Sequence, residues 1–369
     1  MEENFVMPRV LMVNTVPMIY DGITMTILNY VSNMDRRDMV IDFVAINKVE
    51  DRLKKEIIEL GSKVYELTDR NTSQMKYISE LTSVVREGRY NVVHIHCNSC
   101  TAAVDLLGAK LGGAKLRCPH SHNTKCAHNR INSVLRPLFN MLYTDGFACG
   151  EDAGKWLYGN KPFTVWKNAT NTDKYKYNAE DRRLLREKYR MSGKIAVGHV
   201  AHFTYHKNHS FLIDVFKGVV ENNPNYMLFL IGDGKYKEEI RETVKNLGMT
   251  DNVIFVGTTL NIPQYLSMMD LMVLPSLYEG LPNVVIEWQI SGLPILVADT
   301  VTKDCKLTES VTFLPLDKGT WKKSILDCNV NILRKEVSEH NIELISKAGF
   351  DIKKQAAMLK EYYVKHLNK

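Results

Sequence analysis

What most constrains this chain is a pattern that runs, stops and then starts again: a short apolar run, a loop, a helical stretch, another apolar run. Val10–Asn14, Ile41–Ile46, Lys63–Leu67 and Val92–His96 are the apolar runs of the first series. Helical stretches lie between them at Met25–Met34, Lys54–Leu60 and Gln74–Glu87, and glycines Gly61 and Gly88 close the last two. The second series places runs at Ile195–Val200, Tyr226–Ile231, Val253–Val256, Leu271–Leu274 and Pro294–Ala298, with helices over Ser210–Glu221 and Lys237–Leu247. Short apolar strands alternating with helices of this length predict a mostly parallel sheet covered on both faces. The polar stretch Trp166–Asp173 separates the two series. The expected fold class is therefore α/β, two doubly wound Rossmann-like domains. Ligands of such sheets lie beyond the carboxyl ends of the strands, so the expected site is a central cleft faced by both domains.

Composition removes several other readings. A chain of 369 residues suits two domains of ordinary size. Its formal net charge of +6 is mildly basic, compatible with phosphorylated ligands and too weak to argue for nucleic acid. No apolar run approaches the length of a spanning helix, and the acidic start at Glu2 and Glu3 is unlike a signal peptide. Seven cysteines, an odd number, fit reduced thiols better than a disulfide frame. A cytoplasmic protein is expected.

The segment richest in chemistry is Leu274–Trp288, which reads as a strand end, a loop and a helix start. Pro282 suits the first turn of a helix. Unpaired backbone N–H groups at such a start, over Gly280, Leu281, Pro282 and Asn283, can hold a diphosphate, and Gly280 lets the backbone approach an anion closely. Glu279 in the loop and Glu287 in the helix can face one cleft and accept paired hydrogen bonds from sugar hydroxyls.

The Pro-Ser-x-x-Glu-Gly-x-Pro lead-in and the Glu-x7-Glu spacing of Glu279 and Glu287 resemble the signature of family-4 retaining glycosyltransferases with the GT-B fold. The resemblance covers nearly the whole chain and is nearest to bacterial enzymes that build capsular or exopolysaccharide. It implies an acceptor domain over residues 1–170, a nucleotide-sugar donor domain over 171–349, and a final helix within 350–369 packing back on the first domain. Gly198–His209 is similar to the family's phosphate-binding segment: Lys207 takes the lysine position and His202 the arginine position. His202 would supply a weaker, pH-dependent charge in place of a fork of donors. Pro119–Thr124 resembles the segment whose histidine reaches the donor sugar, with His122 the best match and His96 a lesser candidate. Gly22 is what remains of a glycine-rich loop in which Asp21 and Thr24 are departures. Gly257 opens the loop that frames the base, with Thr259 and Asn261 as further departures. Gly232 begins a Gly-x-Gly turn at a strand end.

The implied reaction is retaining transfer of a sugar from a nucleoside-diphosphate sugar, expected to be a UDP-sugar, to a saccharide or a lipid-pyrophosphate-linked saccharide. Lys207, His202 and the helix start would stabilise the departing diphosphate, Glu279 would hold the donor sugar, and Glu287 the ribose hydroxyls. The phosphate itself can take the acceptor proton, and domain closure would exclude water. No Asp-x-Asp motif occurs, and the family implies no metal and no other cofactor.

Two features stand outside this reading. From Leu106 to Thr144 there is no acid, while Lys110, Lys115, Arg117, Lys125, Arg130 and Arg136 all fall there. Ile131, Leu135, Leu138 and Leu142 recur at helical spacing. The helix itself is expected to pack on the first domain, and the wider basic patch to meet the anionic inner face of the cytoplasmic membrane. The second feature is the concentration of His94, His96, Cys97, Cys100, Cys118, His120, His122, Cys126 and His128 in segment 94–128, which allows a zinc site as a minority alternative. The other alternative is an inactive, glycosyltransferase-like subunit that binds a nucleotide or a partner, given the departures at Asp21, Thr24, His202 and Thr259.

Overall fold

The structure is a computed structural model. It describes residues 6–124, 129–330 and 332–368. The chain divides into two compact units, Met1–Ala169 with Gly349–Lys369, and Thr170–Ala348.

The first unit is built on seven strands: β1 Arg9–Asn14, β2 Val40–Ala45, β3 Val64–Glu66, β4 Val92–Cys97, β5 Leu116–Ser121, β6 Phe147–Ala148 and β7 Thr164–Val165. Their order in the sheet is β3-β2-β1-β4-β5-β6-β7, and every pair is parallel. Alternation along β1 explains why the run is apolar throughout. Val10 and Met12 enter one core while Leu11 and Val13 enter the other, so both faces are buried. Each such buried side chain is worth about 1.5–3 kcal/mol relative to exposure.

The second unit carries six strands: β8 Ile195–Val200, β9 Tyr226–Ile231, β10 Val253–Gly257, β11 Leu271–Leu274, β12 Ile295–Ala298 and β13 Val311–Leu314. The order is β10-β9-β8-β11-β12-β13, again parallel, and β9 is buried along its whole length. In each sheet the order reverses beside the first strand, between β1 and β4 and between β8 and β11. Those reversals are where a doubly wound sheet opens a crevice.

Helix ends follow local chemistry. The Gln74–Glu87 helix was expected to stop at Gly88, yet Gly88 keeps a right-handed conformation and Arg89 takes the positive φ, 52°. The glycine is needed for space: a Cβ there would lie 2.2 Å from the Tyr90 ring. The C-terminal Ile352–Leu367 helix starts at Asp351, whose side chain accepts from Lys353 N, and buries Leu359 and Tyr363 in the core of the first unit.

Candidate functional site

In the second unit the site forms where the loop after β11 meets the turn after β8. Leu271–Leu274 ends at the buried Pro275 and Ser276, and the Asn283–Ile290 helix begins after Pro282. Pro282 is the residue just before that helix and carries no side-chain cap bond, while its carbonyl accepts from Val285 N at 3.0 Å. Gly280 is exposed, and a Cβ built there meets nothing within 4 Å.

The turn Tyr205–Lys207 is tied to this loop three times. Leu277 N donates to His206 O at 2.8 Å, Asn208 Nδ2 donates to Pro275 O at 3.1 Å, and the Lys207 ammonium pairs with Glu279 Oε1. Asn208 stands in the left-handed region, φ 58°, which Asn tolerates better than most residues. Ser276 Oγ donates to the same Glu279 oxygen at 2.9 Å, and Thr300 Oγ1 donates to Ser276 O at 2.7 Å. Lys207 and Glu279 are 16% and 13% exposed, so both charges are held mostly out of water and each is compensated by the other. Tyr278, 62% exposed, stacks on His206 with ring centroids 5.3 Å apart.

Glu287 faces a different environment. The Tyr175 hydroxyl donates to it, and Tyr175 belongs to the short Thr172–Tyr175 helix capped by Asn171. Burial is the largest influence on the Glu287 carboxyl and pushes it up to about 7; the Tyr175 bond and the Lys174 charge pull the other way. A carboxyl so placed titrates at neutral pH. Tyr175 carries no motif of its own in the sequence. It lies two residues beyond the polar stretch Trp166–Asp173, so no local signal marked it.

The glycines beside β9 do a structural job. Gly232 has φ 144°, and a Cβ on it would fall 2.1 Å from Ala201 O; Phe203 N donates to Asp233 O at 3.0 Å. Gly232 thus lets the chain pass against its own 201–203 backbone. His202 is exposed and its Nδ1 lies 3.2 Å from Asp233 O. Gly232 N donates to Gly257 O, while Thr259 Oγ1 accepts from Asn261 N at 3.1 Å. At Asn283 the side-chain oxygen is buried without a hydrogen-bond partner among the described residues, and Leu281 is half-buried beside it.

In the first unit, Asp21 is the N-cap of the Gly22–Asn33 helix and accepts from Thr24 N at 2.8 Å. Thr24 is buried and accepts from Asn14 Nδ2 at 3.3 Å. The two departures around Gly22 therefore build a capped helix start. His122 follows β5, and its Nε2 lies 2.8 Å from His96 Nδ1. His94 Nε2 lies 3.0 Å from His120 Nδ1, and His94 Nδ1 lies 2.6 Å from the Tyr363 hydroxyl. The four rings stack, His94 on His96 and His120 on His122, each pair with centroids 4.4 Å apart. Burial holds His94 down to about 3 and His122 down to about 4, with His96 and His120 also well below the usual range. All four are neutral at pH 7.

The Cys/His-rich segment is split by strand alternation. Cys97 and Cys100 belong to one core of the first unit, while Cys118 belongs to the other, the core that also takes Tyr363. Cys126 and His128 lie outside the described residues, as does Lys125. Along the Asn129–Leu142 helix the register differs from the expected stripe. Phe139, Leu142 and Asn132 are buried and Leu135 and Leu138 half-buried, whereas Ile131, Val134 and Met141 stay 50%, 76% and 66% exposed. Arg130, Lys110 and Lys115 are exposed; Arg136 instead donates to Leu157 O at 2.8 Å. Among the described residues no helix is long and apolar enough to cross a membrane.

Known proteins share this organisation. Residues 181–305 match the family described as glycosyl transferases group 1. The putative glycosyltransferase EpsF of Bacillus subtilis (strain 168) is 28% identical over 361 residues, 93% of each chain. The Escherichia coli UDP-Gal:alpha-D-GlcNAc-diphosphoundecaprenol alpha-1,3-galactosyltransferase is 23% identical over 313 residues, 79% of each. Among solved structures, HepE of Anabaena in complex with UDP matches with a TM-score of 0.79 at 18% identity, covering 97% of this chain and 100% of that one. The fold is GT-B, and the resemblance to bacterial capsular and exopolysaccharide glycosyltransferases holds.

Proposed function

We propose that this chain, whose residues 181–305 form a glycosyl transferases group 1 domain, transfers a sugar with retention from a UDP-sugar to a saccharide or lipid-pyrophosphate-linked saccharide in surface polysaccharide synthesis. The observation that carries the reading is the Lys207–Glu279 pair, fixed by Ser276 and by the backbone ties of the 204–208 turn at the reversal point of the second sheet. The relative from Escherichia coli is named for a UDP-sugar and a diphosphoundecaprenol-linked acceptor, and HepE was solved with UDP, which supports the donor class.

In this account the second unit takes the donor and the first the acceptor. The donor diphosphate lies against the first turn of the Asn283–Ile290 helix and Lys207, with His202 and the turns at Gly232 and Gly257 framing it. Glu279 receives hydroxyls of the donor sugar and Glu287 those of the ribose. The bond from the anomeric carbon to the diphosphate oxygen breaks, and its electron pair stays on the phosphate, which Lys207 and the helix dipole stabilise. The acceptor oxygen bonds to the same face of that carbon and its proton passes to a phosphate oxygen. His122 of the first unit attends the sugar as a neutral group, and Gly22 begins the Gly22–Asn33 helix on that unit. No metal enters the scheme.

The same reading gives the exposed stripe Ile131, Val134 and Met141, with Lys110, Lys115 and Arg130 nearby, a role against the anionic inner membrane, where a lipid-linked acceptor would reside. The direct test is a transfer assay with radiolabelled UDP-sugars and an extract of lipid-linked saccharides, run on the wild type and Glu279→Ala. Turnover by the wild type that the variant loses, with product of the donor's anomeric configuration, supports the proposal. Nucleotide binding with no transfer to any acceptor favours the inactive-subunit alternative.

A further inference from the structure

We propose that His94, His96 and His120 form a three-histidine site for a divalent first-row metal ion, zinc by ligand type, inside the first unit. The strand pattern builds it. His94 and His96 stand two apart on β4 and so share a face, and the register sets His96 opposite His120 on the parallel neighbour β5. One ligand nitrogen from each of the three lies within 4.8 Å of the others, and His94 Nε2 and His120 Nδ1 are 3.0 Å apart. Around a tetrahedral zinc with Zn–N of about 2.0–2.1 Å, ligand nitrogens stand roughly 3.3 Å apart. Two ligands are thus near their places, and the set closes on an ion by a shift on the order of 1 Å.

The outer nitrogens of His94 and His96 carry the supports that metal-bound imidazoles require, while His120 Nε2 is buried without a partner among the described residues. His94 Nδ1 bonds the Tyr363 hydroxyl and His96 Nδ1 bonds His122 Nε2, which turns His94 Nε2 and His96 Nε2 to the ion. His96 Nε2 is buried and has no partner among the described residues, an unpaired ring atom that a cation would satisfy. The three rings border a void of about 10 Å³, room for one ion, lined otherwise by Met12, Ile27 and Leu359 and by Thr26 and Tyr30. Binding requires no net loss of protons: the hydrogen that His120 Nδ1 shares with His94 moves to Nε2.

Such an ion joins two central strands and, through Tyr363, fixes the C-terminal helix to the sheet. Its role is structural and independent of the donor site. The test uses the full chain with no polyhistidine tag, assayed for metal by mass spectrometry and melted as purified, after chelation, and with zinc restored. About one zinc per chain is expected. Chelation should lower the midpoint of the first unit by about 5 °C, zinc should restore it, and cobalt should give the visible band of a tetrahedral site. His120→Gln should lose the zinc response, with UDP affinity unchanged. Protein that purifies without metal, and whose melting neither zinc nor cobalt alters, overturns the proposal; that result stands on the wild type alone and leaves the donor site untouched.

Discussion

At the carboxyl ends of its strands the second unit holds a charged pair, Lys207 against Glu279, while the first holds four neutral imidazoles stacked from His94 to His122. Both sheets are parallel, and both reverse order beside their first strand. The difference lies in what lines the ends. Around Lys207 the loops are polar and tied by backbone bonds, so an ammonium and a carboxylate coexist with partial exposure. Around His94 the neighbours are Met12, Ile27 and Leu359, and charge there is suppressed. One frame thus holds a charged pair and, on another strand pair, a cluster of neutral imidazoles. The local dielectric decides which.

The comparison breaks most sharply at Glu279. Glu279→Ala removes both the partner of Lys207 and the acceptor for Ser276, and transfer should fall about 10²–10³-fold with the fold retained, measured as turnover of a UDP-sugar. A fall under fivefold would mean that the charged site is not where the donor reacts.

Glu287 sharpens the comparison from inside the second unit, since it is the carboxyl that shares the desolvation of the first. Its folded value of about 7 lies above the unfolded value of roughly 4.3. Between those values the folded state keeps a proton that the unfolded chain gives up, so stability falls as pH rises through that window. Glu287→Gln should therefore stabilise the ligand-free protein at pH 8 by roughly 1–3 kcal/mol, allowing for partial solvent screening, with little effect at pH 4. UDP affinity of the wild type should rise up to about tenfold from pH 6 to pH 8 as the carboxylate forms, and the variant should be flat; calorimetry at both pH values checks it.

Smaller effects are expected at the edges. Val134→Asp with Met141→Asp should abolish sedimentation with anionic vesicles and leave binding of soluble UDP unaltered. His202→Arg should tighten UDP about threefold, because a guanidinium brings a permanent charge and a fork of donors to an exposed position. No change in the second case would place His202 outside phosphate reach.

The alternating apolar runs were enough to recover the two-sheet plan, because a strand buried on both faces must be apolar throughout, as β9 is. The two shortest strands were not legible: Phe147–Ala148, next to the sheet's edge, and Thr164–Val165, at it, are two residues each, below any periodic signal. The Leu274–Trp288 segment was readable because its loop and helix start are local. Asn208 and Ser276 lay within the segments singled out, but their roles were not legible, since they rest on bonds to residues far away in sequence, Pro275 for the one and, through its carbonyl, Thr300 for the other. Of the stripe read on the Asn129–Leu142 helix, Leu135, Leu138 and Leu142 pack on the first unit and Ile131 does not, because Asn132, a polar residue, takes a core position by accepting from Cys100 N at 2.8 Å. That bond turns Ile131 outward. Gly232, read as the start of a Gly-x-Gly turn, is a glycine that its own neighbouring backbone requires.

The central claim is that Lys207, held by Glu279, receives the donor's terminal phosphate. The measurement that tests it most directly is calorimetric affinity for UDP and UMP in the wild type and in Lys207→Ala. The account predicts that the wild type prefers UDP over UMP by at least about tenfold, or 1.4 kcal/mol, and that the variant loses this preference while its affinity for UMP is kept. A variant that still discriminates UDP from UMP as the wild type does would contradict it.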